Sequence, residues 1–153
     1  MRIAIMVSLL TGTACGHKDT APAPAAARPV PWLALTIDVP ADARLEPGKT
    51  GDDFAVLSWS GVHLSINAHT NTLFHKDLAT AVASAQTDGK ITKQGATADG
   101  WEVRYDEEIA GDAVHFVVIH RRIAEVEWEC TGGGESPQAA ESVVTACASL
   151  RAP

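Results

Sequence analysis

Between Gly100 and Cys130 the chain reads GWEVRYDEEIAGDAVHFVVIHRRIAEVEWEC, and no other stretch constrains the fold so tightly. In its first part Trp101, Val103 and Tyr105 alternate with Glu102, Arg104 and Asp106. In its last part Val126, Trp128 and Cys130 alternate with Glu125, Glu127 and Glu129. Successive strand side chains point to opposite faces, so a period of two predicts strands with one apolar and one polar face. Between them, VHFVVIHRR is a continuous apolar run, which predicts a central strand. AGDA supplies the turn before it.

Upstream, WLALTIDVP is rich in strand formers and stops at Pro40, so it reads as a first strand. DARLEPGKTGDD reads as a loop with a turn at Pro47-Gly48. FAVLSWSGVHLSINAH reads as two strands hinged at Ser60-Gly61, or as one long bent strand. Within it Val62, Leu64, Ile66 and Ala68 alternate with His63, Ser65, Asn67 and His69. ITKQGAT is the expected partner of the strand beginning at Gly100.

Two segments change to a helical period. Leu78, Ala81, Val82 and Ala85 form one apolar stripe, stopped by Asp88-Gly89. Ala140, Val143, Val144 and Cys147 form the other, with Ser136 placed to cap it and Pro137 at its first position. The expected fold class is therefore α+β: a twisted antiparallel sheet of about six or seven strands with two packed helices. No internal repeat is present.

A chain of 153 residues suits one domain. The hydrophobic fraction of 46% with 20% charged residues belongs to a folded protein, not a disordered one. The net charge of −7 argues against binding nucleic acid, which needs a basic face to displace counterions. Arg121-Arg122 is the only adjacent basic pair.

The amino terminus carries a different signal. Arg2 precedes an apolar run from Ile3 to Leu10, too short for a spanning helix, which needs about 20 residues. Small residues follow, which is the layout of an export signal. Gly12-Thr13-Ala14-Cys15 resembles the lipobox of bacterial lipoproteins, departing from it by having Gly12 where that family prefers Leu. The resemblance implies cleavage before Cys15 and acylation of that cysteine, and more than one acyl chain gives stable anchoring. The alternative is an ordinary secreted protein cut after Ala14. The expected organisation is a signal over 1–14, a lipidated cysteine with a Pro/Ala-rich tether over 15–31, and a single domain over 32–153. Pro22, Pro24, Pro29 and Pro31 stiffen that tether, giving it a reach of roughly 50 Å.

With Cys15 acylated, Cys130 and Cys147 remain as a pair. An exported chain would oxidise them where geometry allows, stapling the last helix to the sheet; two buried free thiols are the alternative. Neither lies in a Cys-x-x-Cys motif.

The stretch VHFVVIHRRIAEVEWECTGG, followed by the ending VVTACASLR, resembles the carboxyl-terminal half of the PsbP/DcrB-like (Mog-type) group. LALTIDVPADARLE is similar to that group's opening strand and turn. The resemblance implies an antiparallel sheet with packed helices and a mostly non-enzymatic role. It transfers no functional residue.

Residue chemistry points the same way. His63 and His69 share a face but lie about 20 Å apart along a strand, too far for one metal. His115 and His120 fall on opposite faces; a cross-strand site, or one joining His69 and His75 through a turn, stays open. Glu125, Glu127 and Glu129 read as a solvated sheet face relieved by Arg104, Arg121 or Arg122. TGGGESP reads as a flexible link, because it lacks the ending of a phosphate loop. No nucleophile elbow, metalloprotease or EF-hand pattern occurs. No cofactor is expected. The expectation is a non-enzymatic envelope lipoprotein, held to the outer membrane by its lipid and facing the periplasm, that binds or supports another envelope component. The alternatives are a small-ligand or metal-binding lipoprotein, and a hydrolase with a non-local site.

Overall fold

The computed structural model describes residues 24–48, 53–68 and 75–153. Strands β1 (Ala25–Val30) and β2 (Leu35–Pro40) form a separate antiparallel ribbon. The main sheet contains β3 (Arg44–Pro47), β4 (Phe54–Trp59), β5 (Val62–Ala68), β6 (Lys90–Ala96), β7 (Gly100–Ile109), β8 (Asp112–Ile123) and β9 (Val126–Gly134). Its order is β3-β4-β5-β9-β8-β7-β6, and every neighbouring pair is antiparallel. Helices α1 (Leu78–Asp88) and α2 (Pro137–Ala148) complete an α+β domain.

Turn chemistry explains the hairpins. Ser60 and Gly61 both have positive φ (40° and 74°), as do Ala110 and Gly111 (55° and 93°). Two-residue turns of that hand match the twist of the strands they join. The apolar run of β8 lies between β9 and β7, as a central strand should.

Four expectations are corrected. Ala25–Val30 lies within the expected tether but pairs with β2, from Ala25 opposite Pro40 to Val30 opposite Leu35, so the folded chain starts before Trp32. Val30 is fully buried, which gives this segment an apolar anchor, and Pro29 is tolerated because β1 is an edge strand. Next, Pro31–Leu33 is a 3-10 turn ending in a left-handed Ala34, so β2 begins only at Leu35. Finally, part of the expected loop is β3, where Leu45 pairs with Leu57, and Thr131–Gly134 belongs to β9 instead of forming a flexible link.

The two sheet faces are covered differently. On one, Leu57, Leu64, Ile66, Val117 and Ile119 pack beneath α2, whose Val143, Ala146 and Cys147 are buried. The ribbon closes this core with Val30, Leu35, Ile37 and Val39. It is tied to the end of the chain, where Thr36 and Arg151 exchange backbone hydrogen bonds of 2.9 and 3.1 Å. On the other face α1 covers a smaller cluster of Trp101, Val103 and Val118 with Ala81 and Ala85. That helix packs on β6 and β7, at one side of the sheet.

Candidate functional site

The part of this second face beyond α1 is where the site lies. Register sets its floor. Gly133 stands between His63 of β5 and Phe116 of β8, and in the next row Thr131 stands between Ser65 and Val118. Small side chains in the middle, with larger ones on either side, leave a groove of about 490 Å³. Val56, His63, Ser65, Phe116, Thr131 and Gly133 line it, and Glu135 stands at its mouth.

The groove is built into the backbone. A Cβ on Gly133 would collide with the carbonyl oxygen of His115 on the adjoining strand, so no side chain can fill the gap. Phe116 is held by Tyr105, whose ring stacks on it with centroids 5.2 Å apart and planes 17° from parallel. Burial, followed by the charges of Asp88 and Glu107, pushes the Tyr105 hydroxyl pKa up.

Next to the lining residue Thr131, on the same face of β9, lies Glu129, only 1% exposed. Its Oε2 accepts the backbone N–H of His75 at 2.7 Å and lies 2.8 Å from His75 Nδ1. Thr131 Oγ1 donates to its other oxygen at 3.3 Å. His75 meets Trp101 edge-on, and Trp101 stacks on His120 with centroids 5.4 Å apart. The expected solvated acidic row is therefore broken up. Glu129 is buried and paired, Glu127 pairs with Arg122 at 2.9 Å, and Glu125 sits in a turn with φ 67°. Arg104 and Arg121 serve other partners.

Those partners lie on the α2 side. Arg104 bridges Glu102 and Glu141. Burial works against its charge, but the two carboxylates outweigh burial and hold its pKa above the ordinary value. His115 Nδ1 lies 2.7 Å from Asp106. Arg121 Nη1 donates to the carbonyls of Cys147, Ala148 and Leu150. Cys130 and Cys147 are joined, with an S–S distance of 2.04 Å, so β9 and α2 are covalently connected.

An imidazole beside a carboxylate is two-thirds of a nucleophilic triad, and among the described residues His75 with Glu129 and His115 with Asp106 lie within hydrogen-bonding distance, while His120 lies 3.9 Å from Glu127. Neither of the two close pairs has a hydroxyl or thiol hydrogen-bonded to its ring among the described residues. His75 instead positions α1, since it lies just before Asp77, the residue that caps the helix through Thr80 N at 2.8 Å. Among the described residues no group of three or more histidine, cysteine or acidic side chains is arranged to hold a metal. His69 and the lipidation candidate Cys15 lie outside the described residues. Sequence reading missed both the Glu129–His75 pair and the groove. Cross-strand register was the signal needed, and it is absent from a linear pattern.

No known protein family and no curated protein matches the chain in sequence. Solved structures do match in shape. The Ran-binding protein Mog1p of Saccharomyces cerevisiae superposes with a TM-score of 0.57 over 84% of this chain and 95% of its own, at 10% identity. A protein of Bacteroides thetaiotaomicron covers 86% of this chain with a TM-score of 0.47 and 12% identity, and this chain spans about half (49%) of its length. At these identities the likeness is one of fold. The chain has an antiparallel seven-stranded sheet with two helices, and its fold is like that of Mog1p.

Proposed function

We propose that the chain is a non-enzymatic binding protein of a bacterial cell envelope, anchored by lipid on Cys15, whose domain engages another envelope component at the groove. The observation that carries the binding reading is the half-covered face. Helix α1 protects one side of the sheet, and a partly apolar groove is left beside it on rigid, central strands. Rigid elements present a binding surface without an ordering cost. The anchoring half rests on Arg2, the apolar run, the small residues before Cys15 and the prolines after it. Among the described residues no helix is long and apolar enough to cross a membrane.

The test is made in intact cells. Acyl label should enter the protein and be lost in Cys15→Ser. A photo-crosslinking residue at Ser65 should capture a discrete partner, whereas one at Glu141, on the opposite face, should not. Absence of label removes the anchor, and equal capture from both positions removes the groove as the binding surface.

A second reading has its own support. The groove falls within the range of small-molecule pockets, about 300–1,000 Å³, and combines apolar walls with the hydroxyls of Ser65 and Thr131. In that case the protein is a small-ligand-binding lipoprotein, and Ser65 captures no protein while the domain gains thermal stability from a soluble compound.

A further inference from the structure

Resting on the reading of the groove as a binding site, we infer that it takes a small planar aromatic ring bearing a cationic nitrogen, with the ring slotted between His63 and Phe116 over Gly133 and the charge directed at Glu135. The slot follows from register. His63 and Phe116 are both opposite Gly133, one on each side. Two strand spacings separate their backbones by about 10 Å, and strand side chains stand off the sheet. A flat ring in van der Waals contact on both faces needs about 7 Å between its neighbours. The stack on Tyr105 occupies one face of Phe116 and turns the other toward the gap. A puckered ring is thicker and makes poorer contact with two flat walls.

Charge supplies the second half. Glu135 lines the mouth and has no ion-pair partner among the described residues. Glu107 faces Val114, another lining residue, and so stands at the same end of the sheet. Glu108 and Asp112 follow on that hairpin. No lysine or arginine lines the groove, and Arg44, two strands from His63 in the same row, is paired with Glu46 at 2.8 Å. Ser65 Oγ donates to the Thr131 carbonyl at 3.1 Å, which leaves its lone pairs available to an N–H donor.

The test titrates the purified full chain with three probes. Tryptamine is planar and cationic, indole-3-propionate has the same ring with an anion, and cyclohexylethylamine is cationic but puckered. Tryptamine should move the amide resonances of Gly132, Gly133 and Gly134 and bind at least about tenfold more tightly than either of the others. Glu135→Gln should weaken tryptamine by about fivefold without weakening indole-3-propionate. His63→Leu, at an exposed position, and Phe116→Leu should each remove the preference for a planar ring. No response at the glycines, or equal affinity for all three probes, overturns the inference. The photo-crosslinker at Ser65 reports separately on the binding reading. Capture of a partner without tryptamine binding overturns the ring-and-charge assignment alone, and failure of both overturns the two together.

Discussion

Arg121 ends the last helix by donating to three carbonyls, those of Cys147, Ala148 and Leu150, while its other nitrogens hold Asp99 at 2.6 and 2.7 Å. Carbonyls at a helix end have no partner in the helix itself, and a cation there also meets the negative end of the dipole. Arg121→Ala should therefore destabilise the domain by about 2–3 kcal/mol, read from denaturant midpoints. Arg121→Lys should fall between, because one ammonium cannot serve both the carbonyls and Asp99. Tyr105 gives a pH signature. In the unfolded chain it ionises near 10.0, and in the fold it ionises higher because burial, then Asp88 and Glu107, disfavour the phenolate. A raised folded pKa means that stability is intact below the unfolded value and is lost as pH rises through the folded one. Wild type should thus lose stability faster above pH 10 than Tyr105→Phe does, and urea midpoints on either side of that pH would reveal the difference.

At the scale of elements, α2 is fastened three times, by its apolar stripe, by Arg121 and by the Cys130–Cys147 bond. Both sulfur-bearing residues are buried, at 1% and 0% exposure, so the bridge lies within the core and its loss cannot be relieved by solvent. Replacing both cysteines with alanine should cost about 3 kcal/mol, measured against wild type under non-reducing conditions. A parallel loss of amide protection in α2 would place the effect. The β1–β2 ribbon makes a sharper prediction, because it decides where the domain begins. A chain starting at Trp32 lacks β1 and the fully buried Val30, whereas one starting at Pro24 keeps both. The shorter chain should be less stable by at least about 2 kcal/mol. Equal stability of the two would show that the ribbon contributes nothing. The edges of the sheet are guarded differently: β6 carries Lys90, Lys93 and a bulge between Ile91 and Lys93, all of which discourage pairing with another chain.

At the scale of the whole molecule, the asymmetry of the two sheet faces matters most. One face is sealed by α2 and the ribbon, which gather most of the buried apolar residues. The other is sealed only where α1 lies, and the remaining surface stands on β5, β9 and β8, the middle of the sheet. A binding surface placed there is backed by strands paired on both sides, so it should be among the last parts to open. Hydrogen exchange should accordingly be slowest in β5, β8 and β9 and faster in β3 and β6. Slower exchange at the edges than in the centre would contradict this arrangement.

By itself the sequence determined what depends on short-range periodicity: the alternation in β5, β7 and β9, the apolar run of β8, the two helical stripes, and the Ser136-Pro137 start of α2. Each of these is set by side-chain direction within a few residues, and each appears in the fold where its pattern lies. Polar residues were less legible. Glu129 looked like its exposed neighbours because its alternation is the same, and only the return of the chain at His75 buries it. The glycines of β9 looked like a link because composition cannot show that His63 and Phe116 will flank Gly133. Ala25–Val30 looked like tether because its strand depends on a partner and a core supplied by residues later in the chain. Tertiary structure alone decided these, since burial and cross-strand neighbours arise from pairing between segments far apart in sequence.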